Sequence, residues 1–136
     1  MMQPFSWPVR VYYEDTDAGG VVFYANYLKF FERARTEYLR AAGFEQDQLM
    51  TEAGVIFVVR SVQVDYLKPA RFNDLLQVTA NVTLAKKTSF MFKQQVIREN
   101  TVLCQGDIRI ACLDVHSMRP KAIPPLILET LAHHEQ

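Results

Sequence analysis

Histidine is missing from the first 115 residues, cysteine occurs twice, and neither sign of charge is in excess; each shortage removes a class of function. A Ser/His/Asp or Cys/His set needs an imidazole beside its nucleophile, and no Gly-x-Ser-x-Gly elbow is present either. His116 falls at a strand end and His133 with His134 in the tail, a spacing that fits neither a zinc helix nor a zinc ribbon. All three read as solvated or capping residues, and no metal or cofactor is expected. Cys104 and Cys112 share one face of an expected strand with Ile108 and Ile110, so they read as small buried hydrophobes, a reduced pair that suits the cytoplasm. Fifteen Lys and Arg balance fifteen Asp and Glu. No global field gathers nucleic acid or an anionic membrane, and an anionic ligand must find a local patch. The longest apolar runs, such as Val55–Val59, are about five residues against the roughly 20 that span a bilayer, so no transmembrane segment is expected. Met1 to Pro8 has neither a basic n-region nor an apolar h-region, which points away from secretion and towards the cytoplasm.

What is present is patterning. The 136 residues fit one domain, 1–136, with an apolar fraction of 49% and a charged fraction of 22%. Val9, Val11 and Tyr13 alternate with Arg10 and Tyr12 as a strand that ends at an acidic loop, Asp15 to Gly20. Tyr27, Phe30, Phe31, Ala34, Tyr38, Ala41 and Ala42 then recur at three and four, predicting one long helix with Asn26 as N-cap and Gly43 as C′ residue. Lys29, Arg33 and Glu37 form its solvated side, with Arg33 and Glu37 as an i,i+4 pair. Four strands follow. Val55–Val59, apolar on both faces, continues through Val62, Val64 and Tyr66 to a turn at Pro69–Asp74; Leu76 to Leu84 alternates with polar residues and so has one wet face. Turns at Lys86–Thr88 and Glu99–Thr101 lead to strands near Ser89–Arg98 and Val102–Val115, and a proline-started helix from Pro124 to about Ala132 is expected to cover a sheet edge. The class is α+β, a meander packed on one helix.

Acyl-group hydrolysis needs a nucleophile or a base for water, and donors aimed at the developing oxyanion. The acidic loop offers a carboxylate among glycines, where Gly20 lets a ligand come close, followed within a few residues by the start of the long helix. Free N–H groups at a helix start polarise a thioester carbonyl, and a nearby carboxylate attacks it directly or deprotonates water. Spacing does not choose between these routes. Taken alone, Asp-x-Asp with Gly-Gly also describes an ordinary turn whose Asp side chains bond their own backbone. Asp15, Asp17 and Gly20 match positions one, three and six of a calcium loop, but Gly19 and Asn26 stand where carboxylates are needed, which excludes that reading.

Over Tyr13-Glu14-Asp15-Thr16-Asp17-Ala18-Gly19-Gly20-Val21-Val22-Phe23-Tyr24-Ala25-Asn26-Tyr27, continued as Phe31-Glu32-Arg33-Ala34-Arg35-Thr36-Glu37, the chain resembles the 4-hydroxybenzoyl-CoA thioesterase family. Within that family it is most similar to the Tol-Pal-associated acyl-CoA thioesterases, through Trp7 to Gly20 and Lys68-Pro69-Ala70-Arg71. The resemblance implies a hotdog fold, an antiparallel sheet wrapped around one long helix, and hydrolysis of acyl-CoA, with acyl carrier protein open as the other thiol carrier. It implies Asp17 as the catalytic carboxylate, the Tyr24 backbone N–H as oxyanion donor, and Tyr13 close to Asp17. Many Tol-Pal-associated members carry histidine where this chain has Tyr24, so side-chain acid–base help is not implied, whereas the backbone role needs no particular side chain. Lys86, Lys87, Thr88 and Ser89 would hold the CoA phosphates. Val59 would meet the acyl chain or a second subunit, because the family builds each site from two subunits of a homodimer, often doubled to a homotetramer. A hydroxyacyl-thioester dehydratase shares the fold, but such sites generally use a histidine that the loop lacks. Non-catalytic acyl-thioester binding, or an envelope-associated interaction, is not excluded by composition.

Overall fold

A computed structural model describes residues 5–135. The elements run β1 (Phe5–Arg10), a 3-10 turn (Tyr13–Asp15), α1 (Asn26–Ala41), a short α2 (Gln46–Gln48) continued by a wide turn (Leu49–Ala53), β2 (Val55–Tyr66), β3 (Leu75–Ala85), β4 (Ser89–Arg98), β5 (Thr101–Asp114) and α3 (Pro125–His134). All five strands pair antiparallel in the order β1-β3-β4-β5-β2. The α+β class and hotdog arrangement anticipated from the sequence are found: the sheet curves around α1, whose Phe30, Phe31 and Ala34 are fully buried with Leu76, Val78, Phe92 and Ile108 of the strands.

Helix α1 stops as the sequence predicts. Gly43 takes φ +98°, its N–H reaches the Arg40 carbonyl at 3.0 Å, and Phe44 N–H reaches the Leu39 carbonyl at 2.8 Å, the paired bonds of a left-handed C-terminal cap. The start differs. Ala25 occupies the cap position without a side-chain bond, and Asn26 is already helical. The Asn26 amide instead donates to the Asp15 carbonyl at 2.9 Å, tying the helix to the acidic loop. The buried stripe includes Leu39, while Ala41 is exposed. Arg33 does not pair with Glu37. Its guanidinium lies 5.8 Å over the Phe30 ring, and Glu37 pairs with Arg40, one turn nearer the helix end.

The first strand begins earlier and ends earlier than its alternation suggests, running through Pro8 and stopping at Arg10. Pro8 is tolerated because β1 is an edge, and the chain leaves the sheet because the Asp15 carboxylate captures the Tyr12 N–H at 2.8 Å. On β3 the wet face is interrupted at Thr79, which is buried and accepts the Gln95 N–H at 2.9 Å. A register shift between Val82 and Leu84 leaves Leu84 exposed. Helix α3 packs on β3, and Glu135 accepts the Ala85 N–H at 2.7 Å beyond the β1-paired part of that strand. His134 is not simply solvated. It bonds the Tyr38 hydroxyl at 2.6 Å, and burial pushes that hydroxyl up to about 12.

Candidate active site

The two aspartates of the loop do different work. Asp15 is buried, only 8% exposed; its carboxylate takes the Tyr12 N–H, and its carbonyl takes Phe23 N–H at 3.0 Å and the Asn26 amide. It is the pin that joins the end of β1 to the start of α1. Asp17 is exposed. Between them Thr16 bridges to Val22, so the next residues close a small hairpin: Asp17 N–H bonds the Val21 carbonyl at 2.9 Å and Gly20 N–H bonds the Asp17 carbonyl at 3.0 Å. Gly20 sits at φ +80°, a conformation that a side chain would strain. Asp17 Oδ1 accepts the Gly19 N–H at 2.8 Å, the self-bonded turn that its sequence also describes, while Oδ2 accepts no hydrogen bond among the described residues. The turn therefore orients the carboxylate and leaves one oxygen available.

A few residues on, Asn26 and Tyr27 N–H groups are taken by the Phe23 and Tyr24 carbonyls at 2.8 and 3.3 Å. The Tyr24 N–H has no acceptor among the described residues. An unpaired amide at a helix start, helped by the helix dipole, suits a carbonyl oxygen that gains charge. The Tyr24 ring is turned to other aromatics, 4.8 Å from Phe23 and 6.0 Å from Tyr66.

Tyr13, Asp17 and Gly20 line one open groove of about 410 Å³ with Thr16, Ala18 and Phe72. Phe72 meets the exposed Tyr13 ring edge-on at 5.8 Å. In sequence Phe72 belongs to a turn, and it is brought to the loop by the Val21–Arg71 bridge, a pairing across 50 positions of chain, and by the Val22 N–H bond to the Ala70 carbonyl at 2.8 Å. No local pattern reveals it.

Val59 and the Lys86–Ser89 turn lie elsewhere. Val59, 47% exposed on β2, borders a separate cavity of about 120 Å³ against α1. The turn sits at the far end of β3 from Arg10, which pairs with Leu75; the 11 residues of that strand span roughly 35 Å at ~3.3 Å per residue. The turn backbone is fixed, with Thr88 accepting Cys112 N–H at 2.8 Å and Lys87 accepting Ile123 N–H at 2.9 Å. Both lysine side chains are exposed and form no ion pair among the described residues. Within one chain, then, the loop and the cationic turn do not meet. Cys104 and Cys112 are buried, and burial pushes their thiols up to about 12 and about 11, so neither supplies a thiolate.

The Thioesterase superfamily model matches residues 19–105. The acyl-CoA thioester hydrolase YbgC of Escherichia coli O157:H7 is 49% identical over 125 residues, 91% of this chain and 92% of that protein. The acyl-CoA thioesterase YbgC of Haemophilus influenzae is 46% identical over 129 residues, 95% of each chain. Among solved structures, a probable thioesterase from Bartonella henselae superposes with a TM-score of 0.86 at 31% identity, over 90% of this chain and 100% of that one.

Proposed function

The chain belongs to the thioesterase superfamily, and on that footing we propose that it hydrolyses acyl-CoA thioesters to the free acid and CoA, using Asp17 and the Tyr24 N–H. The observation that carries the reading is an exposed carboxylate with one uncommitted oxygen and an amide with no acceptor, both in the short segment that leads into α1. The Tyr24 N–H holds the oxyanion. Asp17 either attacks the carbonyl carbon, expelling CoA thiolate and leaving a mixed anhydride for water to open, or takes the proton of an attacking water. Tyr13 and Gly20 shape the groove around Asp17.

The cationic turn needs a neighbour to reach this chemistry. A homodimer or homotetramer in which Lys86, Lys87, Thr88 and Ser89 of one copy hold the CoA phosphates while the loop of another carries the thioester resolves the strand-length separation within a chain. Val59 then meets the acyl group or the second copy. The whole chain acts as one domain in the cytoplasm, and its setting follows the Tol-Pal-associated thioesterases it resembles. No described helix is long and apolar enough to cross a membrane.

Thiol release from a panel of acyl-CoAs tests the activity. Asp17→Asn is expected to lower turnover by about 1,000-fold or more with the circular dichroism unchanged. Near-full turnover in a folded Asp17→Asn protein removes Asp17 from the mechanism.

A further inference from the structure

Beside its core stripe, α1 directs a second, polar stripe into a cavity that Gln46 also lines and that aromatic and aliphatic side chains of the sheet close on the other side. Glu32, Arg35 and Thr36 line the cavity of about 120 Å³ whose other walls include Phe57, Val59 and Phe92. Polar groups converging on a partly apolar cavity mark the place where a ligand's orientation is read.

Arg35 is the group left incomplete there. Its Nη1 donates to Gln94 Oε1 at 3.0 Å, a neutral amide, and no carboxylate lies within ion-pair distance of it among the described residues. Gln94 is fully buried and its Nε2 donates to the Phe31 and Thr79 carbonyls, both at 3.0 Å, which fixes its oxygen towards Arg35. The guanidinium is therefore held in position by a rigid neutral acceptor. Glu32, the acidic wall of the cavity, already accepts the Thr36 hydroxyl at 3.0 Å. Burial pulls the Arg35 pKa down, opposed by Glu32, yet a guanidinium stays charged across the working range. A partly desolvated cation with five donors and one neutral partner beside a cavity of mixed lining lacks an anion within ion-pair distance among the described residues.

We propose that this cavity takes the far end of the acyl group and that Arg35 pairs with a carboxylate there, making CoA thioesters of dicarboxylic acids the preferred substrates. The inference rests on the thioesterase reading and names the acyl class that this reading leaves open. Size agrees with an end group: a 150 Å³ cavity holds benzene, so about 120 Å³ holds a few terminal atoms and not a long chain. Arg35 lies roughly 14 Å along α1 from Asn26 at ~1.5 Å per residue, so the match depends on chain length.

The test uses CoA esters of equal length ending in methyl, hydroxyl or carboxylate, at several lengths. Two quantities are measured: kcat/KM by thiol release with the natural chain, and Kd by calorimetry with Asp17→Asn. At the matching length the carboxylate-ended ester is expected to win by at least about tenfold, a ratio that falls to near one in Arg35→Met and is partly kept in Arg35→Lys. Methyl-ended esters equal or better at every length, hydroxyl preferred over carboxylate, or a preference that a folded Arg35→Met retains, each overturns the inference. If Arg35→Met does not fold, the natural chain and Arg35→Lys still decide. Absence of thiol release from every ester sinks the hydrolase reading instead, and the Kd ratios continue to judge this one.

Discussion

The two edges of the sheet follow opposite rules. β1 is six residues long, carries Pro8, and is left promptly because Asp15 turns the chain away at Tyr12. β2 is 12 residues long and free of proline, with Val59, Val62 and Tyr66 47%, 42% and 45% exposed. A short edge interrupted by proline resists added strands, whereas a long edge free of proline leaves its backbone groups open to one. The contrast makes β2 the edge to test as the seam of the proposed dimer. It also makes physical sense of a loop and a cationic turn that one chain holds a strand's length apart.

The strongest way to break the contrast is to charge one edge and then the other. Val62→Lys is expected to give a monomer by sedimentation and to lower kcat/KM on the order of 100-fold, because a site missing its second copy cannot hold CoA in line with the loop. Ser6→Lys, on the exposed part of β1, is expected to change neither. A Val62→Lys protein that stays dimeric, or an active monomer, removes β2 as the seam. A smaller effect is expected where β1 ends. Asp15→Ala leaves the Tyr12 N–H without its carboxylate and frees the loop, costing about 1–3 kcal/mol in denaturant unfolding, whereas Asp17→Asn costs activity with little stability. Equal stability losses in the two variants would erase the distinction between them.

That distinction marks how far the sequence could be read. The long helix and the β3-β4-β5 meander follow from spacing of three and four in α1 and of two in β3, since both periods are set by what each face must bury, whereas the hotdog class comes from the family resemblance and the placing of β2 beside β5 from neither period. The resemblance singles out Asp17, but a role for Asp15 needs the Tyr12 and Asn26 bonds, which depend on how the loop doubles back. Asn26 looks like a cap because its type and position suit one; the competing acceptor, the Asp15 carbonyl, is invisible until the chain is folded. Phe72 and Arg35 are hidden for the same reason. The first reaches the groove through a bridge between Val21 and Arg71, and the second is defined by a glutamine on β4 that local periodicity does not connect to α1. Contacts between distant segments, above all those of polar atoms, leave no periodic trace.

The mildest expected effect lies at the start of β2, where acid should loosen one edge through a single carboxylate. Asp114 pairs with Val55, the first residue of β2, and its Oδ2 accepts Ser117 N–H at 2.7 Å and His116 N–H at 3.0 Å. The Ser117 N–H leads in holding the carboxyl down at about 2; partial burial opposes it, while the His116 N–H and the Lys121 ammonium, 3.6 Å from Oδ1, add to it. Because the folded value is below the ordinary 3.8, the charged form is the one the fold favours. Its contribution is complete above that ordinary value and is lost as pH falls through about 2. The Ser117 and His116 amide resonances should therefore titrate together with a midpoint near 2, and Asp114→Asn should abolish the step. The other edge supplies the control. The Arg71 N–H is held at 2.9 Å by Asp74, whose carboxyl is raised by burial but brought lower overall by that N–H and by Arg98, so its amide should follow Asp74 and ignore Asp114→Asn. If one substitution shifts both sets of resonances, the two edges are not independent in the folded chain, and the contrast between β1 and β2 loses its basis.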